Sequence, residues 1–101
     1  AVAEVPRGTE PLLVNELGHI TESAIANVVY EIDGQLFTPP ESDGLLPGVL
    51  RGVLIREGKI IERSLPVSEL ADVTSWWLVN ALRGWREAKL VSARLRDLQI
   101  A

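Results

Sequence analysis

Around Asp33-Gly34 the sequence leaves little freedom of local structure. Val28, Tyr30 and Ile32 alternate with Val29 and Glu31 before it, and Gln35-Leu36-Phe37-Thr38 resumes after it. A period of two places alternate side chains on opposite faces of a sheet. An Asp-Gly pair tolerates the left-handed backbone of a two-residue hairpin turn. Residues 27–38 therefore read as a hairpin. Pro39-Pro40 ends its second strand, because neither proline has an N–H for a ladder.

Other segments follow the same logic. Leu12-Leu13-Val14 reads as a short strand, residues 15–18 as a turn, and Ile20-Thr21-Glu22 as the next strand. After a polar loop over 41–44, Val49, Leu50, Val53 and Leu54 recur as the apolar stripe of a helix over about 47–57. Pro47 suits its first turn and Gly58 its end. Residues 59–65 read as a strand, Ser68 as the cap of a brief helix through Asp72, and the apolar run 76–81 as a buried strand. Residues 85–91 suit another strand, whereas Val91, Leu95 and Leu98 have helical spacing, which leaves the C-terminal structure open. Residues 1–10, punctuated by proline and glycine, read as a tail or cut linker before a single domain over 11–101.

Composition narrows the function. The chain has 101 residues, enough for one core, and is 47% hydrophobic against 24% charged, which favours a folded domain. Fourteen acidic residues against 10 scattered basic ones argue against nucleic acid as a partner. No apolar run is long enough to span a membrane and no leader pattern is visible, so no membrane role and a cytoplasmic location are expected. With no cysteine and only His19 among histidines, neither a disulfide framework nor a metal site is expected. The chain starts at Ala1 and has no methionine, so it reads as a fragment or processed chain.

No serine–histidine–acid set, Walker loop or Gly-x-Gly-x-x-Gly fingerprint is present. One segment could hold an anion. In Gly44-Leu45-Leu46-Pro47-Gly48-Val49-Leu50 a glycine allows close backbone approach just before a helix, whose first amides point outward unpaired. Most Pro-Gly helix starts bind nothing, and on these grounds alone simple capping is the simpler reading.

A wider pattern changes the balance. Gly18-His19-Ile20-Thr21-Glu22, Ala26-Asn27-Val28, Asp33 through Pro40, and Gly44 through Arg51 occur in order. Their spacing resembles the class IV (fold-type IV) pyridoxal-phosphate aminotransferase family, which includes branched-chain and D-amino acid aminotransferases and aminodeoxychorismate lyase. The resemblance runs from about Leu12 to Val91. Asn80-Ala81-Leu82-Arg83-Gly84-Trp85 looks most like the lyase branch.

The resemblance implies an α/β (α+β) fold, the C-terminal pseudo-barrel lobe of the D-amino acid aminotransferase-like fold. It implies pyridoxal 5′-phosphate as cofactor, an amino substrate, a missing N-terminal lobe and a homodimer. Glu22 matches the carboxylate at the cofactor's pyridine nitrogen, against a solvated strand-end glutamate. Leu46 matches the apolar residue against the ring, against a core leucine. Val49 and Leu50 match the amides that bind phosphate. Ala81 falls where relatives supply a phosphate-binding hydroxyl, which alanine lacks. Arg83 is a candidate partner for a substrate carboxylate, against an exposed surface arginine. Asn27 would orient the loop around Glu22, the three tryptophans read as core or interface aromatics, and His19 receives no role.

The departure from the family that matters most is an absence. The Schiff-base lysine should precede the glutamate motif by roughly thirty residues. Here only 17 residues precede Gly18 and none is lysine. Lys59 and Lys89 match no family lysine, so no catalytic residue is expected within the chain. The complete protein would be an aminodeoxychorismate lyase of para-aminobenzoate and folate synthesis, this chain alone being inactive. The alternatives are an aminotransferase of the same family or a degenerate, non-catalytic domain.

Overall fold

The computed structural model describes residues 8–101. Ten short strands and one α-helix are arranged as two five-stranded sheets. The expected hairpin sits at the centre of one of them. Strands β3 (Asn27–Ile32) and β4 (Gln35–Thr38) pair antiparallel around Asp33 and Gly34, whose φ angles of 52° and 78° are those of a left-handed two-residue turn. Strand β7 (Ser75–Asn80) covers the other edge of β3 and pairs in turn with β8 (Gly84–Ala88). The two-residue β5 (Ile61–Glu62) adds the sheet's one parallel contact, to β4. The second sheet runs β6 (Leu65–Pro66), β2 (His19–Ser23), β1 (Glu10–Val14), β10 (Gln99–Ile100), β9 (Leu90–Ser92). Pairing is otherwise antiparallel, so the fold is α+β with curled sheets rather than an alternating parallel α/β design.

Two apolar clusters explain why β3 is buried on both faces. Val28, Tyr30 and Ile32 join Trp76 and Leu78 of β7 against Ile20, Leu12 and Ile100 of the other sheet. Val29 and Val79 point the other way and pack on Leu54 of α1 (Val49–Arg56) and on Ile60 beyond its end. The helix ends in a Schellman motif at Gly58 (φ 73°), where Lys59 N–H reaches the Leu54 carbonyl at 3.0 Å and Gly58 N–H the Ile55 carbonyl at 3.0 Å. Leu78, 2% exposed, lies between the sheets. Leu78→Ala is expected to cost about 3 kcal/mol and to lower the melting temperature by roughly 10 °C or more, as thermal unfolding followed by circular dichroism will read.

The structure corrects or completes the sequence reading in five places. The expected strand over 59–65 is divided between the sheets as β5 and β6. Arg63 bridges them: its N–H donates to the Thr38 carbonyl at 2.9 Å, and its carbonyl accepts from the Tyr30 hydroxyl. Burial pushes the Tyr30 phenol up, against the lowering effect of Arg63, which keeps it a neutral donor. Ser68 caps nothing; Val67–Asp72 is a 3₁₀ turn begun by Pro66. The helical spacing near the C-terminus yields strands β9 and β10, because Leu98 and Ile100 are buried in the inter-sheet core. The helix starts at Val49, with Pro47 outside it and Gly48 as its N-cap. Of the expected tail, residues 1–7 lie outside the described part, and Glu10 already belongs to β1.

Candidate functional site

The helix start is positioned by polar side chains rather than by a side-chain cap of its own. Asn27, 5% exposed, splits its amide across Pro47: Nδ2 donates to the Leu46 carbonyl at 2.9 Å, and Oδ1 accepts the Gly48 N–H at 3.0 Å. A second anchor lies upstream. The segment 41–43 forms a 3₁₀ turn, and the buried Asp43 carboxylate accepts from Ser64 Oγ at 2.8 Å and meets His19 Nδ1 at 3.2 Å. Its backbone carbonyl accepts from Asn15 Nδ2 at 3.0 Å. Ser64 and His19 both face the carboxylate, so Ser64 Oγ is not the activated hydroxyl of a hydrolase triad.

Between these anchors the chain leaves Leu46 79% exposed and Val49 75% exposed. The Leu46 N–H points at Glu22, 3.4 Å from each carboxylate oxygen. Glu22, Asn27, Leu46, Gly48, Val49, Asn80 and Ala81 line one open concavity of about 300 Å³. The first-turn amides of Val49 and Leu50 have no partner within the helix, since the first helical bond runs from Gly52 N–H to the Gly48 carbonyl at 3.1 Å. A carboxylate, an exposed apolar side chain and the helix start at Val49 thus line one concavity, with the Leu50 amide next along the chain, and this set fits a flat, phosphorylated heteroaromatic group.

The family model for amino-transferase class IV matches residues 3–91. The chain belongs to this family. A Schizosaccharomyces pombe protein provisionally named aminodeoxychorismate lyase is 38% identical over 60 residues, which are 59% of this chain and 26% of that protein. Among solved structures, a provisionally named amino-acid aminotransferase from Mesorhizobium loti is 44% identical with a TM-score of 0.76, over 81% of this chain and 40% of that one. A protein from Legionella pneumophila provisionally named 4-amino-4-deoxychorismate lyase is 33% identical at TM-score 0.69, over 75% of this chain and 30% of that one. Branched-chain aminotransferase from Escherichia coli is 26% identical at TM-score 0.68, over 77% of this chain and 28% of that one. The chain thus spans between about a quarter and two fifths of the length of these relatives.

Within this class IV chain, the residues singled out by sequence divide cleanly. Glu22, Leu46, Val49 and Ala81 line the concavity, with Leu50 half-buried behind Val49 and packed toward the core. Arg83 does not line it; it sits at the tip of the β7–β8 hairpin, its backbone N–H held by Asn80 Oδ1 at 2.7 Å. The aromatics divide as well: Trp76 is core, and Trp77 stacks on the partly exposed Trp85 with centroids 5.7 Å apart.

Three supporting residues escaped the sequence reading: His19, Asp43 and Ser64, which meet only through the fold. Arg51 is a fourth. It is 4% exposed, with Nη2 donating to the Pro39 carbonyl at 2.9 Å and to Glu62 Oε2 at 2.8 Å. It ties α1 to the end of β4 and to β5, and its charge is spent on Glu62 rather than offered to the concavity. A charged residue directly after a phosphate-site motif, inside an otherwise apolar helix stripe, was the available sign of such a partner.

Proposed function

We propose that this chain is the cofactor-holding part of a pyridoxal 5′-phosphate enzyme that converts 4-amino-4-deoxychorismate to para-aminobenzoate and pyruvate. The observation that carries the reading is the concavity shared by Glu22, Leu46 and the helix start at Val49. When bound, the cofactor supplies an electron sink for cleavage next to the substrate's amino-bearing carbon. The chain's own residues orient and bind. The Glu22 carboxylate holds a proton at the ring nitrogen. The Leu46 side chain packs on one ring face and keeps water from it. The Val49 and Leu50 N–H groups donate to phosphate oxygens in the positive field of the helix start. Ala81 gives no hydroxyl, so backbone donors carry more of the phosphate's load than in relatives with serine or threonine there. Arg83, exposed at the hairpin tip beside Ala81 and in no ion pair among the described residues, is the chain's candidate for pairing with a substrate carboxylate.

The lyase reading draws on Asn80 through Trp85 and on the yeast and Legionella relatives. A branched-chain or other amino-acid aminotransferase is the second reading, favoured by the 44% identity to the Mesorhizobium structure. The test uses the complete protein that carries this chain. Release of para-aminobenzoate and pyruvate in equal amounts supports the lyase. Amino-group transfer from a branched-chain or D-amino acid to a 2-oxo acid, with no para-aminobenzoate, supports the transferase.

The complete enzyme is further proposed to be a cytoplasmic homodimer; no helix among the described residues is long and apolar enough to cross a membrane. Leu13, Ile25, Leu46 and Val49 leave an apolar rim on the concavity, and Leu82 beside it is 91% exposed. Such a rim favours burial by further protein surface. Sedimentation at rising concentration is expected to reveal association that Val49→Glu weakens; a strictly monomeric chain at high concentration would count against the rim as an interface.

A further inference from the structure

We infer that Asn27 and Gly48 form a matched positioning pair that sets the distance and angle between the Glu22 end and the amide end of the site. The inference rests on the proposal that the Val49 and Leu50 amides take the cofactor's phosphate, and it adds what puts them there. Pro47 lies between two residues held by one planar group, with Asn27 Nδ2 on the Leu46 carbonyl and Oδ1 on the Gly48 N–H. One partner is an acceptor and the other a donor, so the amide has a single orientation that satisfies both. Leu46 is thereby fixed with its N–H toward Glu22, and Gly48 with its carbonyl starting the helix. A shift of the Asn27 side chain moves both ends of the site together.

Gly48 completes the pair for a steric reason. Its φ of −69° and ψ of 158° suit any L-residue, so the backbone does not demand glycine. A Cβ at this position would lie 2.6 Å from Asn27 Oδ1, inside any real contact distance. Glycine stands there because the asparagine occupies the space. The two positions are therefore coupled, and a cycle of single and double variants separates positioning from stability.

The experiment titrates inorganic phosphate, and separately pyridoxal 5′-phosphate, into the full 101-residue chain. The backbone amide resonances of Val49 and Leu50 report binding, and melting temperatures are recorded in parallel. Wild type is expected to show saturable shifts at both amides. Asn27→Ala is expected to bind phosphate roughly tenfold more weakly, through loss of two partly buried hydrogen bonds that orient the donors. Gly48→Ala lowers both affinity and melting temperature. In the double variant the new methyl has no amide to strike, so the melting temperature recovers to that of Asn27→Ala while affinity stays depressed. A purely structural role would restore affinity together with stability, and that result, or wild-type affinity in Asn27→Ala, overturns the inference alone. If the wild-type amides do not respond to either probe, the phosphate reading falls and the inference with it.

Discussion

Pyridoxal 5′-phosphate mixed with this chain and reduced with borohydride is expected to label no lysine stoichiometrically, and neither an amino acid nor aminodeoxychorismate should be turned over. The expectation rests on where the chain's lysines are. Lys59 follows the C-terminal end of α1, a helix about 12 Å long, so it lies at the far end from the amides at Val49. It is 64% exposed and paired with Glu57 at 3.3 Å. Lys89 is exposed at the β8–β9 junction, where its backbone pairs with Ala101 and it lines a separate groove with Leu70, Val73 and Trp76. Neither lines the concavity of Glu22 and Leu46. A lysine becomes a nucleophile near neutral pH when it is enclosed with its partner, and neither residue is enclosed. Peptide mass analysis after reduction decides the matter. Scattered, substoichiometric labelling agrees with this geometry; full labelling of Lys59 or Lys89 accompanied by turnover would relocate the catalytic centre.

What could be read from sequence and what could not have physical causes. The 27–38 hairpin was legible because alternation and Asp-Gly act locally, and the Gly58 helix end because a left-handed residue there has few alternatives. The strand over 59–65 was misread because its division is tertiary: Tyr30 and Thr38 claim the backbone of Arg63, and Asp43 claims the hydroxyl of Ser64. The C-terminal segment has helical spacing at Val91, Leu95 and Leu98, yet Val91 and Leu95 stay exposed and only Leu98 is buried. Periodicity there had no face to serve.

The site divides in the same way. The residues that line the concavity are legible because four motifs hold a fixed order, whereas the anchors are not. Asn15, His19, Asp43 and Ser64 are ordinary polar residues in turns and strands, and nothing short of the fold shows that His19 meets a carboxylate 24 positions away. Asn27 was assigned to the Glu22 loop, and the structure extends its reach to both sides of Pro47.

In the complete protein carrying this chain, Glu22→Gln is expected to lower kcat roughly ten- to hundredfold, the value of a charge-assisted hydrogen bond lost from the rate-limiting barrier. Glu22 stands on β2, half-buried, next to the Leu12–Ser23 pair that joins β2 to β1. Its carboxylate already faces the concavity and tolerates the Leu46 N–H at 3.4 Å from both oxygens. Glutamine preserves volume and can still accept from Leu46, so the loop should stay in place. In the proposed role, what glutamine would not do is balance a proton at the cofactor's ring nitrogen, and without that charge the ring would withdraw electrons less effectively. The loss should therefore fall on kcat, with cofactor affinity changed little, because the Val49 and Leu50 amides and Leu46 are untouched. Steady-state kinetics with cofactor titration distinguishes the two effects. A Glu22→Gln enzyme with kcat within twofold of wild type would remove the carboxylate from the reaction, whereas a loss confined to cofactor affinity would reduce it to a loop anchor.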